Sequence, residues 1–125
     1  MSVGFIHFKG VKLLKLDLEN VDDNQIDIEH IQKVNKLIKQ YERNVLVIIN
    51  LKNFMPGRYF MEYSTRTLNE RASKITRAAY IGIDNRNRKL FELYDRFNAK
   101  IVDRKKFENE ELALLWLIKI DEIKN

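Results

Sequence analysis

The chain has 125 residues, the size of one domain able to bury a core without disulfides or metals. Its 45% hydrophobic and 33% charged content excludes a disordered chain, and zero cysteines exclude a disulfide framework or a thiolate metal site. The net charge of +5 is uneven: Arg66 to Lys106 holds twelve basic and five acidic side chains, and from Phe107 onward the balance reverses to two against five. Such a pattern can steer anionic partners, but the simpler reading is a solvated surface.

Val3 to Phe8 and Val11 to Leu18 are β-prone runs separated by Lys9-Gly10, which predicts a hairpin. Leu14, Leu16 and Leu18 alternate with Lys15 and Asp17, the pattern of a strand with one wet face. The polar stretch Glu19 to Asp27 leads into a helix with Ile31, Val34, Ile38 and Tyr41 at helical spacing, Leu37 widening the stripe and Asn44 ending it. Val45 to Leu51 is apolar and β-branched, as in a strand buried on both faces. Pro56-Gly57 marks a turn, and Arg58 to Lys74 reads as a helix with a thin stripe of Phe60, Leu68, Ala72 and Ile75.

Ala78 to Ile83 predicts another buried strand, with Asp84 or Asn85 capping the helix that follows. That helix places Leu90, Leu93, Tyr94 and Phe97 on one face. Lys100 to Asp103 reads as a short strand. Asn109 can open the last helix, with Glu110 and Glu111 in its first turn and Ala113, Trp116, Leu117 and Ile120 on one face. Trp116 is expected to be buried with Leu112 and Leu117 against the sheet. No linker, repeat or low-complexity tract interrupts the order, so residues 1–125 read as a single domain. Right-handed crossovers then predict an α/β fold: a mainly parallel sheet of about five strands, an N-terminal antiparallel hairpin and about four flanking helices.

Four segments in this order, VLVIINLKNF, AAYIGI, KIVD and FENEELALLWL, resemble the STAS superfamily, nearest its divergent SpoIIAA-like or STAS/SEC14-like branch. The resemblance runs from about Val45 to Leu117 and is a pattern, not a catalytic signature. It implies a STAS/SpoIIAA-like domain that acts by binding a protein partner or a second copy of itself. In phospho-regulated members a serine or threonine opens the helix after the central strand, commonly with an aspartate before it. Here that segment is Asn53-Phe54-Met55-Pro56-Gly57-Arg58, without a hydroxyl or an acid. A phosphate-driven switch is therefore not expected at that position, and Ser64 and Thr65 lie at least a helical turn further on. The SEC14-like label implies an alternative, a binder of a small apolar or anionic ligand.

The four glycines, Gly4, Gly10, Gly57 and Gly82, build neither a P-loop nor a dinucleotide fingerprint, and no G-x-S-x-G occurs. No paired acid–base or nucleophile signature marks an enzyme, and no cofactor is implied. His7 and His30 have no histidine four residues away, and the carboxylates near His30 (Asp22, Asp23, Asp27, Glu29) read as solvated, so no metal site is expected. Met55, Gly57, Arg58, Tyr59 and Tyr63 belong to a turn rich in Met and aromatic residues, the composition of a protein-binding surface. Several of its apolar members could equally pack into a core. Asn85, Arg86 and Arg88 follow a buried strand, where a helix start beside arginines suits a phosphate or carboxylate; a plain capping turn is the simpler reading. Arg104-Lys105-Lys106 beside Phe107 lacks the regular basic–aromatic pattern of a nucleic-acid binder. No run reaches the roughly 18 apolar residues of a membrane span, and the N-terminus lacks the features of a signal peptide. The expected location is cytoplasmic.

Overall fold

The computed structural model describes residues 2–21, 28–40, 45–55, 74–89, 91–92, 96 and 103–119, with the backbone alone for 28–31. Strands β1 (Ser2–Phe8) and β2 (Val11–Asp17) form the expected hairpin, pairing from Ser2 opposite Asp17 to Phe8 opposite Val11. Lys9 and Gly10 both take positive φ, 48° and 81°. Two such residues make the tight turn whose twist matches that of the strands.

Strands β3 (Val45–Asn50), β4 (Ile75–Ile81) and β5 (Asp103–Phe107) complete one sheet in the order β1-β2-β3-β4-β5. Only β1 and β2 are antiparallel. In a sequential parallel order, right-handed crossovers put every connecting helix on the same face. Helix α1 (Ile28–Lys39), between β2 and β3, accordingly packs Val34 and Ile38 on Leu14, Val45 and Val47. After β4 the chain returns to that face, where Phe91 meets the ring of Tyr80 edge-on at 5.0 Å. Helix α2 (Glu110–Ile118) follows β5 and is free to take the opposite face. It buries Ala113, Leu114 and Leu117 against Leu13, Leu46, Ile48, Ala79 and Ile81. Val45 and Val47 thus point to α1 while Leu46 and Ile48 point to α2, which explains the unbroken apolar run of β3.

Both ends of α2 are satisfied by side chains. At the start, Asn109 Oδ1 accepts the Leu112 amide at 2.9 Å, as expected of a cap, and Glu110 reaches Lys15 of β2 at 2.7 Å. At the end no basic residue lies on the helix itself. Arg77 of β4 supplies the charge instead, donating from a guanidinium nitrogen to the Trp116 carbonyl at 2.7 Å while lying 4.6 Å from the indole centre. Its side chain is 2% exposed, so the cation is held by a helix carboxyl end, an aromatic face and Asp103 at 3.5 Å.

The architecture departs from the sequence reading in several places. Among the described residues there are two full helices, α1 and α2, with further helical backbone at Arg88, Lys89, Phe91, Glu92 and Arg96. The helix expected over Arg58 to Lys74 lies outside the described residues apart from Lys74, which is in a turn. Ile75, assigned to that helix, opens β4, because a buried arginine at position 77 disguised the strand's first half. β4 stops at Ile81, since Gly82 turns to a φ of 78°. β5 lies further along the chain than Lys100 to Asp103. Its charges hid it: Arg104 packs between Tyr80 and Phe91, and only Phe107 faces Trp116. Trp116 is half-buried and Leu112 exposed, while Leu117 is fully buried. The tryptophan lies at the margin of α2, against Phe107 and Arg77, not at its centre.

Replacing Arg77 with Ala should cost roughly 3 kcal/mol, because it empties a buried space and strips a partner from the Trp116 carbonyl. Urea unfolding followed by Trp116 emission checks this. A loss under about 1 kcal/mol, the size of an ordinary surface change, would show that Arg77 does not secure α2.

Candidate functional site

Parallel strands deliver their carboxyl ends to one edge of a sheet, where open α/β folds place their binding loops. Here the segments leaving β2, β3 and β4 meet at that edge and are tied to each other. The Leu18 amide donates to the Asn50 carbonyl at 2.9 Å and the Asn20 amide to the Lys52 carbonyl at 3.0 Å. Asp17 Oδ1 accepts from the Glu19 amide at 2.9 Å and from Asn50 Nδ2 at 3.2 Å. Asn20 and Asn53 both take positive φ, 59° and 56°, a conformation that asparagine tolerates better than most residues. Asn53 Nδ2 then donates to Asn20 Oδ1 at 2.9 Å, joining the two loops.

The junction of the β3 and β4 loops is tighter still. A Cβ on Gly82 would lie 2.4 Å from the Lys52 amide nitrogen, and the residue has φ 78°, so only glycine fits. Asn87, fully buried, spans this contact. Its Nδ2 donates to the Leu51 carbonyl at 2.7 Å and the Gly82 carbonyl at 3.1 Å, and its Oδ1 accepts the Asp84 amide at 2.9 Å. One side chain therefore fastens the end of β3, the end of β4 and the start of the next helical segment.

Asp84 caps that segment, as the sequence predicts. Its carbonyl accepts the Arg88 amide at 3.0 Å, and its Oδ1 accepts the amides of Arg86 at 2.8 Å and Asn87 at 3.3 Å. The Arg86 guanidinium donates to Asp84 Oδ2 at 2.8 and 3.2 Å and to Asn53 Oδ1 at 2.8 Å. These bonds hold the Asp84 carboxyl below the ordinary carboxylate range, the side-chain bond from Arg86 contributing most and its backbone amide next.

Of the sequence-predicted residues, Asn85, Arg86 and Arg88 lie on one turn at this edge, and Met55 follows two residues after Asn53, which accepts a bond from Arg86. Asn85, Arg86 and Arg88 are exposed, with Arg88 donating to Asn85 Oδ1 at 3.0 Å. Their helix start already holds the carboxylate of Asp84, so an external anion would meet a partly neutralised Arg86. Met55 is 50% exposed beside the fully buried Phe54, which anchors the loop while Met55 points to solvent. Gly57, Arg58, Tyr59 and Tyr63 lie outside the described residues. Sequence reasoning missed Asn20, Asn50, Asn53 and Asn87. The available signal was the recurrence of asparagine at or within four residues of the ends of three predicted strands, Val11 to Leu18, Val45 to Leu51 and Ala78 to Ile83, a residue suited to left-handed turns and to bonding nearby backbone.

The arrangement can present hydrogen-bonding groups and an apolar side chain; among the described residues it does not set a nucleophile beside a base. His7 lies on β1 at an edge strand, away from these loops. Among the described residues no three His, Asp or Glu side chains converge as metal ligands, and no helix is long and apolar enough to cross a membrane. A scan against protein-family models and searches of curated proteins and solved structures find no match to this chain.

Two outcomes check the edge. Asn87→Leu should lower stability by about 3 kcal/mol in chemical denaturation, since three backbone groups, one of them fully buried, lose their partner; an unchanged midpoint would remove Asn87 from this role. Acid titration of Asp84→Asn supplies the other. A carboxylate lowered by folding contributes stability above its unfolded-chain value, and that contribution is lost as pH falls through the folded one. The variant should therefore unfold with a shallower acid dependence below about pH 4, and equal slopes would show that Asp84 carries none of it.

Proposed function

We propose that this chain is a non-enzymatic, STAS-like interaction domain that docks a protein partner on the carboxyl edge of its sheet. The observation that carries the reading is the set of three cross-tied loops, one carrying the exposed Met55 and another Asp84 to Arg88, joined through the Arg86–Asn53 bond. A surface fixed before binding loses little conformational entropy on association, so more of its contact energy appears as affinity. Methionine suits such a contact because its flexible thioether adapts to the shape opposite. The resemblance of Val45 to Leu117 points the same way, and the stretch 53–58 offers no hydroxyl for a phosphate switch.

Tagged wild-type chain and the variants Met55→Asp, Arg58→Ala and Tyr59→Ala, each introduced into the native cell, supply the test. A partner recovered with the wild type should be weakened by at least about 30-fold in one or more variants, as for an anchor worth over 2 kcal/mol. Their unfolding midpoints should stay unchanged. A partner retained equally by all three variants, or a small molecule retained on the purified chain in native mass spectrometry, would overturn the proposal.

A further inference from the structure

The two edges of the sheet differ in chemistry. Edge strands expose a row of backbone donors and acceptors, and proteins commonly blunt them with charge, proline or bulges. β5 is blunted: Asp103, Arg104, Lys105 and Lys106 occupy four of its five positions, and Asp103, Lys105 and Lys106 are exposed. β1 is not. Ser2 to Phe8 contains no Asp, Glu, Lys, Arg or Pro, and its pairing to β2 runs through seven residues with no break in register. Half-buried apolar side chains stand on both its faces, Val3 and Phe5 toward α1 and Ile6 and Phe8 toward α2.

We infer that β1 is a self-association edge, where two copies of this chain pair antiparallel about a two-fold axis at Phe5 and join their sheets into one. The hairpin sets the register. A two-residue turn closes with the Phe8 carbonyl bonded to the Val11 amide, so Phe8 directs its backbone groups toward β2. Antiparallel alternation then turns Gly4 and Ile6 the same way, and Val3 and His7 outward. Setting Val3 opposite His7 of the second copy aligns outward groups with outward groups on both sides of the axis.

The same register sets Gly4 opposite Ile6 of the second copy on the α2 face. Among the described residues a Cβ built on Gly4 meets nothing within 4 Å, which leaves room for the incoming isoleucine. Glycine within a strand weakens it unless another chain approaches closely there, and this pairing supplies that approach twice by symmetry. Because both copies use the same edge, the assembly closes as a dimer; the charged β5 edge does not extend it into a fibre. The occupant is thus a second copy, since a foreign strand would gain the backbone bonds without the reciprocal Gly4–Ile6 fit.

Sedimentation of the full chain should give a dimer that dissociates on dilution. His7→Pro removes an outward donor but no bond to β2, so it should give a monomer with unchanged far-ultraviolet dichroism and, at dilutions where the wild type is itself monomeric, an unchanged unfolding midpoint. Register is read by cysteines, of which the chain has none. An equimolar mixture of Val3→Cys and His7→Cys chains should oxidise to a disulfide-linked pair, because directly opposed residues lie about 5.5 Å apart between Cα atoms. Either variant alone should cross-link at least tenfold more slowly. A wild-type monomer at every concentration, a dimer indifferent to His7→Pro, or equal cross-linking in mixed and single samples would overturn the inference. A dimer abolished by Met55→Asp and kept by His7→Pro would also overturn it, placing self-association on the carboxyl edge instead.

Discussion

The contact between Gly82 and Lys52 is the constraint on which the carboxyl edge depends. Two backbones can approach this closely only where no Cβ intervenes, and the positive φ of Gly82 ends β4 at that point. Closure buries the Leu51 carbonyl and half-buries Gly82, which would be costly without a donor. Asn87 provides two donors and one acceptor in a fully buried position and satisfies both carbonyls and the Asp84 amide. Turning the helical segment back over the sheet, the same side chain lets Phe91 reach Tyr80. Geometry at one glycine therefore sets the loop ends, the following cap and part of the core on the α1 face.

Cations perform much of the structural work that apolar residues do elsewhere. Arg77 lies under the end of α2 against Trp116, and Arg104 lies 4.9 Å from Tyr80 and 4.7 Å from Phe91. The guanidinium plane stacks on aromatic faces while its N–H groups reach carbonyls, as Arg104 does to the Phe91 carbonyl at 3.0 Å. Arg86 is spent on Asp84 and Asn53. The basic excess between Arg66 and Lys106 is consequently less a binding surface than its count implies. Several of its members are packing and tying residues, and the exposed Lys105 and Lys106 lie on β5, where they guard an edge.

The functional reading follows from what the loops can do together. Rigid ties among the segments after β2, β3 and β4 suit recognition, which needs a shape held in place. The sheet separates two kinds of contact. In the proposed reading the carboxyl end offers Met55 and the polar loops to a partner, and the proposed pairing of β1 uses its backbone. These surfaces are distinct, so association at one leaves the other accessible.

The hairpin at Lys9-Gly10, the buried strand β3, and the caps Asp84 and Asn109 were legible in the sequence, because each rests on local chemistry: turn conformation, an unbroken apolar run, and a short polar side chain before a helix. The parallel sheet followed from the order of elements. What the sequence hid were β5 and the first half of β4, where Arg77, Arg104 and their neighbours look solvated until an aromatic face or a carbonyl from a distant element is set beside them. At the candidate site the sequence singled out Met55 and the turn at Asp84. It could not show that Asn20, Asn53 and Asn87 bind the loops to one another, since those bonds join residues more than thirty positions apart. Local periodicity determined which segments are strands and helices. Tertiary structure alone decided where buried charge is tolerated and which loops act as one surface, because both depend on partners that chain order does not place side by side.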